Sequence, residues 1–362
     1  MQALGLDALV VTSPVNIRYL TNHVGTAGTL VMTHAALHLL IDGRYAEAVR
    51  ARQASDRACP ALTTHVVPAS YDEALVDALP ALGLTRAGFE AGHLTVSRHR
   101  WIDRALRARA SLTFEPTTDV VEDARVVKDA VEIATLREAA ARLSGVAAAV
   151  WPQVRAGLPE RVVAGLVEAA LREQGYERPA FDTIAASGPN SALPHHRAGE
   201  RVLTDGDLLV LDFGGVLDGY CSDLTRTVSI GVPSSEGRRL HAAVHEAREA
   251  AVAAIRPGVL TSEVDAAARA VLDRHGYGEA FVHGTGHGLG LEIHEAPRVG
   301  RPRSDAVTPR LEPGMVVTIE PGAYIPGFGG VRIEDDILVT ESGGDVLTSV
   351  PRDFVSLGGL WT

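Results

Sequence analysis

The stretch from Leu208 to Thr227, LLVLDFGGVLDGYCSDLTRT, constrains the fold most, because it predicts a β-hairpin that starts from a buried strand. Its apolar beginning is typical of a strand that is covered on both faces. Asp218-Gly219 then indicates a type I′ turn, whose two central residues need positive φ. A loop of these two residues pairs Leu217 with Tyr220 and sets the register on either side.

The hairpin carries two carboxylates, and the first of them interrupts the apolar run. In the predicted register Asp212 pairs with Thr225, and Asp223 lies two places along on the same face as Asp212. Diagonal neighbours across an antiparallel pair are at most about 7–8 Å apart, so two carboxylates can hold one pair of ions. The alternative is an ordinary Asp turn with a solvated Asp on an edge strand, and the rest of the chain decides against it.

The whole chain has the size and charge of a two-domain protein that does not bind nucleic acid. Its 362 residues suit two domains with large cores, and a formal charge of −11 argues against the basic surface that nucleic acid requires. No run of about 18 apolar residues predicts a membrane span, and the start lacks the features of a signal peptide. Two cysteines, Cys59 and Cys221, form no disulfide framework and favour a reducing cytoplasm.

Residues 1–122 are predicted to form an α/β domain. Strands are expected at 6–11, 35–41 and 87–90, and helices at 44–53 and 97–109. The segment 115–128, with a proline, two threonines and mixed charges, is the best linker candidate. Residues 123–362 then form the second domain.

The second domain is predicted to be α+β. Its helices are expected at 129–155, 159–174, 234–255 and 262–275, with a strand at 181–187. Asp129 is a candidate N-cap of the first helix, and Ser262 with Asp265 makes a variant capping box for the last.

An internal repeat links the two helix pairs of this domain, because five residues recur at a constant offset of 101. They are Arg155, Gly157, Leu171, Gly175 and Tyr176, which return as Arg256, Gly258, Leu272, Gly276 and Tyr277. Strands and a hairpin with two acids follow each copy, and in the second copy the acids are Glu320 and Glu334. Two equivalent halves bring their acid pairs to one pseudo-twofold axis.

A glycine-rich segment with three histidines, FVHGTGHGLGLEIH at 281–294, lies between the two hairpins. Its alternate glycines exclude a stable helix, so His283 and His287 are not a helical zinc-binding pair, but on an extended strand they share a face. The spacing does not fit the dinucleotide motif G-x-G-x-x-G, and Asp212-Phe213-Gly214 lacks the other parts of a kinase site.

Four carboxylates and a histidine suit two divalent ions. An oxygen-rich set favours Mn²⁺ or Co²⁺, and Zn²⁺ and Fe²⁺ are compatible with it. A pair of ions lowers the pKa of a shared water and stabilises the attacking and leaving oxygens, which is the chemistry of hydrolysis.

Five blocks of this sequence resemble the signature blocks of the pita-bread metallopeptidases: SGPNSALPHH, LDFGGVLDGYCSDLTRT, HGTGHGLGLEIHE, IEPGAYIPG and GGVRIEDD. Within that family they are most similar to Xaa-Pro peptidases, the prolidases (Xaa-Pro dipeptidases) and bacterial aminopeptidase P. NIRYLTN and IDGRY resemble, more weakly, the creatinase/prolidase N-terminal domain. The resemblance implies an α/β N-terminal domain followed by a pita-bread catalytic domain.

The resemblance also implies the role of each acid. Asp212 holds one ion, His287 and Glu320 hold the other, and Asp223 and Glu334 bridge both. Glu320 further takes the proton of the nucleophilic water.

Three histidines and one arginine complete the implied site. His283 and His294 contact the substrate and the tetrahedral oxyanion, and His195 matches the substrate-binding histidine of the family. Arg332 precedes Glu334 by two residues and is expected to orient a ligand carboxylate.

The activity expected from the resemblance is hydrolysis of the Xaa-Pro bond at the amino terminus of short peptides. A dipeptidase must bind the carboxylate directly after the proline, for which Arg298 and Arg197 are candidates, whereas aminopeptidase P takes longer peptides. A creatinase-like hydrolase, a methionine aminopeptidase and a non-catalytic binding protein fit less well, because the metal set is complete and a large N-terminal domain is present. The family likeness further implies a homodimer.

Overall fold

The computed structural model of the protein describes residues 1–358, in two compact units that divide between Arg125 and Val126. The two-domain organisation expected from the sequence is therefore present. The predicted boundary after residue 122 falls in a short helix that crosses the division.

The first unit is an α/β domain built on one mixed sheet of six strands. Its strands are β1 (Ala8–Val11), β2 (Thr29–Thr33), β3 (Leu37–Asp42), β4 (Leu62–Val67), β5 (Arg86–Glu90) and β6 (Thr113–Thr117), in the order β4-β3-β2-β1-β5-β6. Its helices are α1 (Pro14–Thr21), α2 (Gly43–Gln53), α3 (Tyr71–Ala81) and α4 (Val96–Arg107), and α5 (Glu122–Val126) follows.

Several elements of this unit differ from the sequence expectation. Strands β2, β4 and β6 and helices α1 and α3 were not predicted, and the proposed linker 115–128 contains the end of β6 and all of α5. Strand β6 was missed because Pro116 indicates a loop by local rules. β6 is the edge strand of the sheet, which is where a proline is tolerated.

The second unit has four long helices and fourteen strands within the described residues. The helices are α6 (Ala130–Val150), α7 (Glu160–Glu173), α8 (Ser235–Ala254) and α9 (Thr261–Arg274). The first seven strands are β7 (Arg178–Pro179), β8 (Ile184–Ser187), β9 (Leu208–Phe213), β10 (Gly215–Leu217), β11 (Tyr220–Cys221), β12 (Leu224–Ile230) and β13 (Gly286–Gly288). The other seven are β14 (Glu295–Val299), β15 (Val316–Ile319), β16 (Gly322–Ile325), β17 (Gly329–Arg332), β18 (Asp335–Thr340), β19 (Gly343–Val346) and β20 (Ser356–Leu357).

The internal repeat predicted from the offset of 101 is visible in the backbone. Helix α9 begins and ends 101 residues after α7. All four repeated glycines have positive φ, 88° and 82° in the first copy and 83° and 79° in the second. The C-terminal turns also match, since Tyr176 N–H donates to Leu171 O and Tyr277 N–H donates to Leu272 O. Each helix pair covers its own group of strands with a separate apolar core.

The predicted register of the first hairpin is confirmed. Leu217 pairs with Tyr220 and Asp212 with Thr225, and the turn residues Asp218 and Gly219 have φ of 47° and 82°. In the second hairpin β15 pairs with β18 and β16 with β17, both antiparallel. The acids predicted in each half therefore lie on paired strands or next to them.

The ends of helices α6 and α9 differ from the sequence expectation in detail. Asp129 caps α6 as expected, but the helix ends at Val150 rather than at residue 155. The capping box of Ser262 and Asp265 is wrong: the α9 helix begins at Thr261, and Glu263 accepts the Leu260 N–H at 2.9 Å. Asp265 instead lies inside the helix, and its carboxylate accepts the N–H and the hydroxyl of Thr285.

No helix within residues 1–358 is long and apolar enough to cross a membrane.

Candidate active site

A cavity of about 620 Å³ in the second unit is lined by every site residue that the sequence predicted. These are Asp212, Asp223, His287, Glu320 and Glu334, predicted as metal ligands, and His195, His283, His294, Arg298 and Arg332. Arg197, the other candidate for a carboxylate partner, also lines the cavity.

The two hairpins supply the four acids in pairs. Asp212 lies in β9 and Asp223 directly precedes β12, while Glu320 directly follows β15 and Glu334 directly precedes β18. Because β9 pairs with β12 and β15 with β18, each half of the repeat contributes two carboxylates.

Thr225 links the two halves. Its carbonyl accepts the Glu334 N–H at 3.1 Å, and its hydroxyl donates to Glu334 Oε2 at 2.6 Å. These two contacts fix both the backbone and one carboxylate oxygen of Glu334 against the first hairpin.

His287 faces the acids with one ring nitrogen. Nδ1 donates to Gly288 O at 3.0 Å, which leaves Nε2 as the unprotonated nitrogen. Nε2 lies 3.6 Å from Glu320 Oε1 and 3.8 Å from Asp223 Oδ2. Ligand atoms of Asp223, His287 and Glu334 all lie within 4.8 Å of one another, so one cation can contact the three. Burial lowers the pKa of His287 to about 4, so the ring is neutral, as a metal ligand must be.

The acids are buried together without enough positive charge. Burial, and then the neighbouring Glu334 carboxylate, raise the pKa of Asp223 well above its usual range. The pKa of Glu334 is also raised, by burial and then by Glu320, and burial raises the pKa of Glu320 itself to about 8. Asp212 Oδ1 and Asp223 Oδ1 are buried without a hydrogen-bond partner among the described residues. Buried charges of one sign with free lone pairs are what a divalent cation compensates, so this donor set fits one.

Arg332 contacts one acid and two hydroxyl groups. Its Nη2 donates to Asp212 Oδ2 at 2.5 Å, its Nη1 to the Tyr324 hydroxyl at 2.7 Å, and its Nε to Thr225 Oγ1 at 3.2 Å. The guanidinium therefore holds Asp212 Oδ2 and leaves Oδ1 free.

His283 is held by two hydrogen bonds in the structure. Nδ1 donates to Gly284 O at 2.7 Å, and Nε2 accepts from the Tyr324 hydroxyl at 2.9 Å. Burial and then the charge of Arg332 lower the pKa of His283 to about 4, so the ring is neutral. Arg332, Tyr324 and His283 thus form one hydrogen-bonded chain.

His294 and Arg298 line the cavity and are exposed to solvent. The His294 ring packs edge-on against His287 with centroids 4.3 Å apart, and burial lowers its pKa. Arg298 is exposed, and its Nη1 donates to Arg301 O at 3.2 Å. Its guanidinium is therefore available to a ligand carboxylate.

Sequence reasoning missed two buried acids that hold the loops of the site. Glu160, at the start of α7, accepts the Ser187 N–H at 2.8 Å and bonds His196 Nε2 at 2.8 Å, which fixes the segment that bears His195. Asp265 accepts both the N–H and the hydroxyl of Thr285 at 3.1 and 2.8 Å. No motif marks Glu160, and the sequence assigned Asp265 only to a capping box, although both acids lie in helices of the detected repeat.

Asp265 also acts with Arg269 one turn later. The two side chains pair at 2.7 Å, and Arg269 donates to the carbonyls of Phe281 and His283. Thr285 O in turn accepts the Glu320 N–H at 2.8 Å. One charged pair on α9 therefore holds the segment between His283 and Thr285, and through it the backbone of Glu320.

Comparison with known families covers both units. Residues 134–341 match the family model of Metallopeptidase family M24, and residues 1–127 match that of the Creatinase/Prolidase N-terminal domain. A Xaa-Pro dipeptidase from Pyrococcus furiosus is 43% identical over 242 residues, which is 67% of this chain and 68% of that protein.

Solved structures are similar over nearly the whole chain. A Xaa-Pro dipeptidase from Bacillus anthracis has a TM-score of 0.90 at 39% identity, covering 98% of this chain and 96% of that one. An X-Pro aminopeptidase from Thermotoga maritima MSB8 has a TM-score of 0.88 at 34% identity, covering 98% and 99%.

Proposed function

Because this chain belongs to metallopeptidase family M24, we propose that it is a Xaa-Pro dipeptidase, which hydrolyses the bond before the proline of a short peptide. The observation that carries the proposal is the donor set of one cavity, which is lined by the four predicted acids, the four predicted histidines and three arginines. Relatives and solved structures with this named activity support it.

The site is proposed to hold two divalent ions. Asp212 would hold one, His287 and Glu320 the other, and Asp223 and Glu334 would bridge them. The support is the free Oδ1 atoms of Asp212 and Asp223, the neutral His287 ring and the mutual distances of its Nε2 to the acids. When bound, such ions make a water more acidic and stabilise negative charge on the carbonyl oxygen.

The proton of the attacking water is assigned to Glu320. Its carboxylate lies at the edge of the acid cluster, and its backbone is held by Thr285 O. A carboxylate next to the attacking water can accept its proton and return it to the leaving nitrogen.

Three histidines are assigned to the substrate. His294 and His195 line the cavity and would orient the peptide, and His283 is assigned to the developing oxyanion. To donate a hydrogen bond there, the neutral His283 ring must carry its proton on Nε2 rather than on Nδ1.

Arg298 is assigned to the carboxylate that follows the proline. It is exposed at the cavity and its donors are directed to no carboxylate of the described residues, which suits a bidentate contact with a peptide terminus. Arg197 is the alternative cation on the same wall.

Aminopeptidase P activity on tripeptides and longer peptides is the second candidate. The specific observation in its favour is the likeness to an X-Pro aminopeptidase structure over 98% of this chain and 99% of that one. A creatinase-like activity and a non-catalytic binding role are less suited to a site in which five metal ligands are present together.

We further propose Mn²⁺ or Co²⁺ as the ions, with Zn²⁺ or Fe²⁺ compatible, and a cytoplasmic homodimer as the working form. The oxygen-rich ligand set supports the choice of ions. The two free thiols, Cys59 and Cys221, support the location, and the homodimer rests on family likeness alone.

The test is hydrolysis of Gly-Pro by purified protein with added Mn²⁺, with Gly-Ala as the control substrate. We expect metal-dependent cleavage of Gly-Pro and little cleavage of Gly-Ala. Equal rates on both dipeptides, or no cleavage of any Xaa-Pro substrate, would reject the proposal.

A further inference from the structure

One buried ion pair next to the cavity lies outside the set of acids and histidines described above. Lys128 Nζ lies 3.0 Å from Glu295 Oε1, and the two side chains are 1% and 8% exposed. Lys128 is also the only lysine of a chain with 34 lysines and arginines together. Because a buried ion pair does not by itself add stability, a stabilising role does not explain why this pair lies next to the cavity.

The backbone of Lys128 is fixed to the second hairpin. Its N–H donates to Gly314 O at 2.9 Å, and the preceding Val127 forms a β-bridge with Met315. Its Nζ also donates to Val126 O at 3.2 Å. Asp129, the N-cap of α6, follows directly, so Lys128 lies between a β-bridge and a capped helix start.

The Glu295 carboxylate closes the turn that ends in His294. Its Oε2 accepts the Glu292 N–H at 3.3 Å, and a methyl group on Gly290 would lie only 2.1 Å from its Oε1. Gly290 O accepts the Cys221 N–H at 2.7 Å, which joins the same turn to the hairpin of Asp223.

His294 lies within the turn that this carboxylate closes. It directly precedes Glu295, and its ring packs edge-on against His287. Glu295 itself lines the cavity. The Glu295 carboxylate therefore holds the backbone segment that carries His294.

We propose that Lys128 is a positioning residue for catalysis, which holds Glu295 and through it directs His294 toward the substrate. The expected effect on turnover rests on the proposed function, whereas the ion pair itself does not. A lysine suits the place because a compact ammonium fits where the side chain is 1% exposed, while the wider guanidinium fork needs more donors satisfied.

Amine acylation tests the pair without any substitution, because the only primary amines of the chain are Lys128 Nζ and the amino terminus. N-hydroxysuccinimidyl acetate followed by peptide mass spectrometry should acetylate the amino terminus of the folded protein and leave Lys128 unmodified. Unfolding in guanidinium chloride should make Lys128 reactive. In the folded Glu295→Gln variant, Lys128 should be acetylated faster than in the folded wild-type protein. If Lys128 is acetylated as fast in the folded wild-type protein as in the unfolded protein, the buried ion pair with Glu295 is wrong.

A double-mutant cycle with His294 tests the positioning role. Lys128→Met should lower kcat/KM for Gly-Pro by about 10²-fold, mainly in kcat, since a small displacement of a catalytic group has this effect. In a His294→Ala background the same change should alter kcat/KM by about twofold or less, because it acts through the missing ring. Metal content should stay that of wild type.

The matched control is Arg137→Met, which removes an exposed ion pair with Asp345 from helix α6, the helix that follows Lys128, and should leave kcat/KM unchanged. An equal loss from Lys128→Met in both backgrounds would show a merely structural role and overturn the proposal. Turnover of Gly-Pro by wild-type protein tests the proposed function, and acylation of Lys128 tests the ion pair. Each of these claims can therefore be rejected without the other.

Discussion

Arg332 and Asp212 form a buried ion pair that joins the second acid-bearing hairpin to the first. Nη2 of Arg332 lies 2.5 Å from Asp212 Oδ2, and the two side chains are 4% and 11% exposed. The same guanidinium donates to Tyr324, which donates to His283. One side chain thus fixes an acid of the proposed metal site and a histidine of the proposed oxyanion site.

Replacement of Arg332 should therefore affect metal binding and catalysis together. Arg332→Met leaves the buried Asp212 carboxylate without its cation, and we expect about 10–100-fold weaker binding of Mn²⁺. Isothermal titration calorimetry on metal-depleted protein measures this. Arg161→Met, which removes an exposed pair with Glu200, is the control. Unchanged affinity in Arg332→Met would show that the pair does not support the metal site.

The bridging acids should be indispensable. Asp223→Asn or Glu334→Gln replaces a carboxylate with a neutral amide that cannot balance two divalent ions, so bound metal should decrease and turnover of Gly-Pro should be abolished. Elemental analysis of the purified variants measures the metal content. Wild-type stoichiometry and activity in either variant would remove these residues from the site.

His283 and His294 should contribute to the transition state without holding metal. His283→Ala and His294→Ala should each cost about 2.7–4 kcal/mol in kcat, with both ions retained. Tyr324→Phe removes the donor to His283 Nε2 but leaves the ring, and it should cost less than His283→Ala. A decrease in metal content along with activity would make the histidines ligands.

Arg298 should separate dipeptide from tripeptide substrates. Arg298→Ala removes the proposed partner of the carboxylate next to the proline, so kcat/KM for Gly-Pro should decrease while that for a Gly-Pro-X tripeptide is retained. Arg303→Ala, an exposed arginine of the same stretch, is the control. If wild type already prefers the tripeptide, the protein is an aminopeptidase P.

Acid sensitivity of the folded state should depend on His241, which is not among the residues that line the cavity. His241 is 5% exposed and stacks on Phe354, and burial lowers its pKa to about 4 from 6.5. Between these pH values the unfolded chain binds the extra proton. Stability from the neutral ring is therefore complete above about pH 6.5 and is lost as pH decreases toward 4, by at most about 1.4 kcal/mol per pH unit. Urea unfolding across this range should show a shallower pH dependence in His241→Phe, and an identical dependence would contradict the assignment.

The sequence predicted those parts of the site that local rules determine. Asp218-Gly219 allowed the register of Asp212 to be predicted, because only a few residues tolerate such a turn, and the repeat was detectable because its glycines need positive φ. The side chains that hold the residues of the site in place were not predictable from local rules. Asp265 satisfied a capping pattern with Ser262, yet it holds Thr285, twenty residues away, because burying two donors outweighs one local hydrogen bond. Tyr324 and Lys128 meet their partners only across the folded chain.

Metal titration of activity tests the central claim most directly, namely that the two hairpins hold two ions for hydrolysis of the Xaa-Pro bond. Metal-depleted protein receives increasing Mn²⁺, and both bound metal per chain and the initial rate on Gly-Pro are measured at each step. We predict no turnover without metal and a plateau of activity at two ions per chain. Full turnover in metal-free protein, or a plateau at one ion, would contradict the account.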